Sequence, residues 1–217
     1  MNNLFIFGCS YSSIYYEGLE IDVNLKKYYE FRNGNFPKTW SELLANELEL
    51  NLVNTAMWGI SNYDIFEKFC QKIDDINKND IVIVGWTEVN RFRLYSEKND
   101  SLISVNVWGI NDEKKFGSIS QNLIEEIIIN RSDCDSWINE VYSWMKLIDK
   151  LSELIGFKLY YWSFSKDFPE ICIYNDLIDL GAENIITETN NVVLNGHFGE
   201  IGHIVQYNYF KDIIKKN

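Results

Sequence analysis

The sequence predicts an α/β protein in which helices cover both faces of a mostly parallel sheet. Short apolar runs that end at glycine or polar residues alternate with longer segments whose apolar residues recur at helical spacing. One run, DIVIVGW at residues 80–86, is continuous and rich in β-branched residues, which is typical of a strand buried on both faces. Alternation of strands and helices around such a central strand favours a three-layer sandwich.

The first part of the chain alternates between strands and helices. Its predicted elements are a strand at 4–7, a polar and tyrosine-rich insertion at 14–38, a helix capped by Thr39, a strand at 50–54, a helix beginning near Asn62 and the strand at 80–86. The later part has an excursion from the core at about 93–130, a helix at 137–155, a strand at 157–164, a short strand at 191–194 and a final helix at about 200–215. No repeat or linker divides the chain, so we expect one domain over residues 1–217.

Composition limits the classes of function. With 217 residues, 46% of them hydrophobic, the chain can build a full core. A formal net charge of −12 without a basic stripe argues against nucleic acid as a partner. There is neither an apolar run of about 18 residues nor a signal-type N-terminus, so we expect a soluble, cytoplasmic protein with no membrane association. The four cysteines lack metal-type spacing, which favours free thiols and no metal site.

Three polar loops that follow strands are expected to matter most, because ligands gather beyond the carboxyl ends of parallel strands. They contain GCSYSS at 8–13, MWGISN at 57–62 and GWTEVNR at 85–91. A fourth stretch, LNGHFGEIGH at 194–203, holds both histidines of the protein.

Together, these loops resemble the motifs of the SGNH/GDSL hydrolases, a family of serine esterases, lipases and carbohydrate deacetylases with a flavodoxin-like α/β/α fold. The resemblance implies that Ser10 is the nucleophile and His197 the base. It also implies an oxyanion hole formed by Ser10, Gly59 and Thr87, with Asn62 helping to close the second loop. This chain departs from the family pattern at two positions, since Thr87 stands in place of Asn and Asn195 in place of the Asp that precedes the histidine.

Elementary chemistry supports the same residues. A serine hydroxyl needs a base within hydrogen-bond reach, and the oxyanion that forms needs fixed donors. His197 lies in a glycine-flanked loop, whereas His203 falls one turn inside the final helix, so His197 is the better base. Asn195 can still accept a hydrogen bond from the ring through its carbonyl oxygen, and we expect Asn195→Asp to raise turnover and make His197 more basic.

Three other residues in these loops are candidates for a role in the site, and two of them have an alternative interpretation. Cys9 is a possible thiol nucleophile, but packing is the preferred interpretation because its side chain alternates away from that of Ser10. Arg91 and Asn62 are candidate substrate contacts, and for Arg91 a salt bridge is the alternative. We expect residues 93–130 to form part of the pocket wall.

The resemblance implies an enzyme that hydrolyses a carboxylic ester. It would cleave an acyl or acetyl group from a small-molecule or carbohydrate substrate through an acyl-enzyme, with no cofactor. The alternative is a catalytically weak or inactive SGNH-like protein that binds glycan or a protein partner, for which Asn195 and Thr87 are the reasons. A nucleotide-binding module is disfavoured because GCSYSS lacks the glycine spacing of a phosphate-binding loop. The sequence assigns no oligomeric state.

Overall fold

The computed structural model describes residues 2–19, 22–96, 100–106 and 134–216. Its main sheet has four parallel strands: β1 (Asn3–Gly8), β2 (Asn51–Asn54), β3 (Ile81–Trp86) and β6 (Lys158–Ser163). They are arranged in the order β2-β1-β3-β6, so the chain crosses over the sheet between successive strands. The predicted α/β class and the parallel, flavodoxin-like sheet are confirmed.

Helices connect these strands and cover the sheet. Within the described residues they are α1 (Tyr15–Gly18), α2 (Val23–Phe31), α3 (Trp40–Glu47), α4 (Asn62–Lys72), α5 (Cys134–Ile155), α6 (Tyr174–Asp179), α7 (Ile185–Glu188) and α8 (Glu200–Lys216). The predicted cap at Thr39 is present, where the Glu42 carboxylate accepts from the Thr39 backbone N–H at 2.8 Å. No helix in this part of the chain has the length and apolar character needed to cross a membrane.

The alternation of side chains along the central strands produces the three layers. Leu4 and Ile6 of β1 pack on one face against α3 and α8. Phe5 and Phe7 pack on the other face against α4 and α5. Because β1 and β3 are buried on both faces, their sequences are continuous apolar runs and not alternating patterns.

The predicted strand at residues 191–194 is wrong. Asn190 and Asn191 have φ values of 53° and 66°, in the left-handed region, and the Asn191 N–H donates back to the Ile186 carbonyl at 2.8 Å. These residues therefore end α7 with a turn, as asparagine often does. The backbone N–H of Val193 is then held by Thr189 Oγ1 at 3.1 Å, so it is not available to a sheet.

The predicted excursion begins as a β-hairpin. Its strands are β4 (Arg91–Ser96) and β5 (Ser101–Asn106), which pair antiparallel. Ser104 Oγ accepts from the Ser61 N–H at 3.1 Å and contacts the Asp64 carboxylate, so the hairpin packs on the first turn of α4. That turn follows β2 and lies at the carboxyl end of the sheet. Residues 97–99 and 107–130 of the expected pocket wall lie outside the described residues.

Candidate active site

Ser10 lies in a tight turn directly after β1. The backbone N–H groups of Ser12 and Ser13 both donate to the Cys9 carbonyl, at 2.9 and 3.2 Å, and Ser13 Oγ donates to the Ser10 carbonyl at 3.2 Å. The turn sits against Gly85 of β3, where an added methyl group would lie 2.8 Å from Ser12 Oγ. The glycine thus lets the serine turn approach the neighbouring strand, and Ser10 is held in place with 8% of its surface exposed.

His197 is carried by a loop that the start of α7 anchors. The first N–H groups of α7, those of Ile185 and Ile186, donate to the carbonyls of His197 and Asn195 at 2.8 and 3.2 Å. The imidazole lies between two aromatic rings, with centroid distances of 4.4 Å to Trp58 and 4.8 Å to Tyr11. Backbone and ring contacts together fix the direction in which the imidazole points.

The structure brings Ser10, His197 and Asn195 together. Ser10 Oγ is 2.7 Å from His197 Nε2, and His197 Nδ1 is 2.7 Å from Asn195 Oδ1. Since an amide oxygen only accepts, Nδ1 carries the ring proton and Nε2 is free to accept from the serine hydroxyl. This is the arrangement that a general base for serine requires.

A fourth residue, Asp22, extends this chain and was missed by sequence reasoning. Asn195 Nδ2 donates to Asp22 Oδ2 at 2.7 Å. The other carboxylate oxygen, Oδ1, caps α2 by accepting from the N–H of Asn24 at 2.7 Å and of Leu25 at 3.4 Å. A helix cap could have been identified from the sequence DVNLKKYYEF. Its contact with a residue 173 positions away could not.

The environment of His197 favours the neutral ring. Burial lowers the pKa of His197 from 6.5 to about 4, the Asp22 carboxylate opposes that shift, and the charge of Arg91 adds to it. At neutral pH the imidazole is therefore unprotonated and able to accept a proton.

The loops after β2 and β3 form the other side of the site. Gly59 has φ of 74°, a conformation that favours glycine, and open space surrounds the position of a Cβ there. Asn62 begins α4, and its amide makes two bonds to the backbone of Thr87: Nδ2 donates to the carbonyl at 2.9 Å and Oδ1 accepts from the N–H at 2.8 Å. Asn62 thus fixes the loop that carries Thr87, while its predicted contact with substrate stays a prediction.

Three polar atoms between the end of β3 and the start of β4 are buried without a hydrogen-bond partner in the described residues. They are Thr87 Oγ1, Asn90 Oδ1 and Arg91 Nε. Thr87 is fully buried, and the Arg91 side chain is 16% exposed. Arg91 forms an ion pair with Glu88, whose carboxylate lies 3.5 Å from Nε, as the salt-bridge alternative for Arg91 expected, although Nε has no hydrogen bond among the described residues. Such groups are costly to leave unsatisfied. Other buried atoms without a hydrogen-bond partner in the described residues include Ser12 Oγ in the serine turn and Trp58 Nε1 beside His197.

His203 and Cys9 occupy other environments. His203 is buried in α8, where its Nδ1 accepts from the Trp40 backbone N–H at 3.3 Å, and burial lowers its pKa to about 3. Cys9 is buried with 1% exposure and packs in the core. Among the described residues, no group of three or more His, Cys, Asp or Glu side chains could hold a metal ion.

Chemically, the arrangement pairs a buried hydroxyl with a base oriented by an amide and a carboxylate. Comparison with models of known protein families gives no match, and comparison with curated proteins gives no significant match. The geometry of these side chains is therefore the basis on which a function is proposed.

Proposed function

We propose that this protein is a serine hydrolase of the SGNH/GDSL type that cleaves a carboxylic ester through an acyl-enzyme. The observation that carries the proposal is the pair of 2.7 Å contacts that link Ser10 Oγ to His197 Nε2 and His197 Nδ1 to Asn195 Oδ1. Residues from two distant parts of the chain, Ser10 in one and Asn195 with His197 in the other, meet in the order nucleophile, base and orienting acceptor. Serine hydrolases on unrelated folds have the same order of roles.

In the proposed reaction Ser10 Oγ attacks the ester carbonyl while His197 Nε2 takes the hydroxyl proton. The tetrahedral intermediate then collapses, the bond to the alcohol oxygen breaks, and His197 returns the proton to that oxygen. Water attacks the acyl-enzyme with His197 again as base. The acid leaves when His197 gives the proton back to Ser10 Oγ, so one ester and one water yield one alcohol and one acid.

The developing oxyanion needs donors that are already in position. We assign this role to the backbone N–H groups of Ser10 and Gly59 and to the hydroxyl of Thr87. The support for Thr87 is that its buried Oγ1 has no partner in the described residues, while Asn62 holds its backbone on both sides. We infer that this hydroxyl, which is fixed in place and has no partner among the described residues, is offered to a ligand.

Arg91 is the residue that we assign to substrate binding. Its guanidinium is largely buried, is close enough to lower the pKa of His197, and leaves Nε without a hydrogen bond among the described residues. Arginine binds carboxylate and other planar oxygen groups through paired N–H donors. We therefore expect an ester whose acyl or alcohol part carries oxygen acceptors, such as an acetylated sugar or a carboxylate-bearing small molecule.

The direct test measures hydrolysis of short p-nitrophenyl esters and of acetylated sugars by the native protein and by Ser10→Ala. Ester hydrolysis that depends on Ser10 supports the proposal. Ser12→Ala is the matched control, because Ser12 lies in the same turn but its Oγ has no partner in the described residues. Equal rates for the native protein and Ser10→Ala would contradict the proposal.

The second candidate is a catalytically weak or inactive relative that binds glycan or a protein partner. Asn195 favours it, because an amide next to His197 carries no negative charge. This candidate predicts binding of acetylated sugars, with slow or no release of acetate, to both the native protein and Ser10→Ala. Acetate release by NMR and binding by calorimetry on the same samples separate the two functions.

A further inference from the structure

We propose that Asp22 is a positioning residue that acts through Asn195 and supplies the negative charge that His197 needs while it holds the serine proton. The inference rests on the proposed hydrolase function and deepens it. It explains how a chain with an amide next to its base can still stabilise an imidazolium ring.

The geometry is a continuous chain of hydrogen bonds. Three contacts of 2.7 Å join Ser10 Oγ to His197 Nε2, His197 Nδ1 to Asn195 Oδ1, and Asn195 Nδ2 to Asp22 Oδ2. Asn195 is almost completely buried, with 4% exposure, so its amide is shielded from competing water. Hydrogen bonds linked in this way polarise one another, and the charge at one end strengthens the bond at the other.

Asp22 also determines which way the amide of Asn195 points. A carboxylate only accepts, so the group of Asn195 that faces Asp22 must be its NH₂. The carbonyl oxygen then faces His197, where it accepts from the ring Nδ1–H and also from the backbone N–H of His197 at 2.8 Å. The position of the ring proton at Nδ1, which leaves Nε2 available to Ser10, follows from the charge on residue 22.

The carboxylate itself is well anchored. Its Oδ1 caps α2, a helix of nine residues, while its Oδ2 is left for Asn195. One group thus joins the start of α2 to the histidine loop, and its negative charge raises the pKa of His197 against the larger effect of burial.

The same contact explains why residue 195 is an amide. With Asp22 fixed as the cap, an aspartate at 195 would place two carboxylates in hydrogen-bond contact, and both could not ionise without a large cost. The sequence alone predicts that Asn195→Asp raises turnover. With Asp22 in contact with residue 195, we expect no such gain. We expect that variant to be less stable than the native chain, because it loses the Nδ2 donor to Asp22.

The test replaces Asp22 by Asn and, separately, by Ser. All three residues are good helix caps, so α2 should be retained while the charge is lost. We expect kcat to fall about tenfold with KM unchanged, since the charge matters most when the ring is protonated. Asp75→Asn is the control: it removes an exposed carboxylate near the amino end of β3 and should leave kcat unchanged.

A spectroscopic measurement reports the coupling without any catalysis. At neutral pH the Nδ1 proton of His197 should be visible by NMR as a strongly downfield resonance, and it should move upfield in Asp22→Asn because its acceptor is less polarised. His203 in the same sample serves as the internal reference. An unchanged Nδ1 resonance and an unchanged kcat in both Asp22 variants would show that Asp22 acts only as a helix cap, and would overturn the proposal.

The double variant Asp22→Asn with Asn195→Asp moves the charge next to the ring and keeps one donor and one acceptor between the two positions. We expect it to restore kcat to at least the native value and to recover the stability lost in Asn195→Asp, a coupling that a double-mutant cycle measures. A double variant that stays as slow as Asp22→Asn would contradict a role for the charge. If no variant hydrolyses esters and the Nδ1 resonance still responds, the hydrolase proposal fails while the coupling stands.

Discussion

The two sides of the candidate site differ in how their polar groups are satisfied. On the histidine side, Ser10, His197, Asn195 and Asp22 form one unbroken chain of hydrogen bonds. On the β3 side, Thr87 Oγ1, Asn90 Oδ1 and Arg91 Nε are buried without a hydrogen-bond partner in the described part of the chain, although Glu88 forms an ion pair with Arg91.

This difference suggests that the histidine side serves proton transfer and the β3 side serves substrate binding. The partnered side is organised before any ligand arrives, which suits proton transfer, because a base must be oriented in advance. The β3 side retains donors and acceptors that no hydrogen bond within the described residues satisfies, so they can be offered to a ligand. Each such group costs about 1–3 kcal/mol when it is buried and unsatisfied, so substrate binding would recover free energy that folding leaves unused.

Replacing residues of the hydrogen-bonded histidine side should have the largest effect on ester hydrolysis. We expect Ser10→Ala and His197→Ala each to lower kcat for ester hydrolysis by about 10⁴-fold or more, because neither residue works without the other. His203→Asn is the matched histidine control: it should lower the melting temperature, since the Trp40 N–H loses its acceptor, but retain ester hydrolysis at temperatures where it is folded. Steady-state kinetics and thermal unfolding on the same samples check both. An active His197→Ala variant, or an inactive but folded His203→Asn variant, would show that His197 is not the base.

Removing the hydroxyl of Thr87 sharpens the comparison, because activity and stability should respond differently. Thr87→Val should lower kcat about 10²–10³-fold, as expected for loss of one oxyanion donor. The melting temperature should stay the same or rise, because the lost hydroxyl has no partner in the described residues.

Thr189→Val is the control for that variant. Thr189 is also buried, but its Oγ1 donates to the Ile185 carbonyl at 2.7 Å and accepts from the Val193 N–H at 3.1 Å. Its replacement should cost about 1–3 kcal/mol, or roughly 2–10 °C in melting temperature. Equal losses of stability in the two variants would mean that the Thr87 hydroxyl is satisfied in the protein.

The next largest effect is expected at Arg91. Arg91→Gln should raise KM for an ester that carries a carboxylate about tenfold or more, with KM for p-nitrophenyl acetate nearly unchanged, because only the first substrate uses the guanidinium. Arg93 lies on the same strand, but its ion pairs with Asp64 and Glu67 are hydrogen-bonded, whereas the ion pair of Arg91 Nε with Glu88 is not. Arg93→Gln should therefore lower stability and leave the ratio of the two KM values as it is. If the ratio of the two KM values changed equally in both variants, Arg91 would not be a specific contact of the substrate carboxylate.

The smallest expected effect is the dependence of kcat/KM and of stability on pH. Because His197 has a pKa of about 4 in the folded protein, kcat/KM should stay flat from pH 8 to about 5 and fall only near pH 4. The unfolded chain binds more protons than the folded one between pH 6.5 and about 4, since both histidines are buried in neutral form. The free energy of unfolding should therefore decrease as pH drops through this window. A pH–rate profile with its acidic limb near 6.5 would show an exposed, ordinary histidine.

The sequence predicts the sheet better than the turns. The runs at 4–7 and 80–86 are apolar on both faces because both strands are central, and this leaves a clear pattern. The run at 191–194 is also mostly apolar, but it begins with Asn191, which together with Asn190 has φ in the left-handed region. The turn that ends the helix, and not the hydrophobicity of the run, therefore determines its conformation.

Prediction of the candidate site shows the same limit. Ser10, His197 and Asn195 could be proposed from short motifs because each motif is local in sequence. Asp22 and the bonds between Asn62 and the Thr87 backbone depend on how distant segments pack, and no spacing in the chain indicates them.

The central claim is that Ser10 is a nucleophile activated by His197, and labelling with a fluorophosphonate probe tests it most directly. Tryptic cleavage after Lys26 leaves Ser10 in the peptide of residues 1–26, where fragmentation distinguishes it from Ser12 and Ser13. We predict one adduct per chain, located on Ser10, formed far more slowly in His197→Ala and absent in Ser10→Ala. A folded native protein that takes up no probe, or an adduct at Cys9, Ser12 or Ser13 in place of Ser10, would contradict the claim.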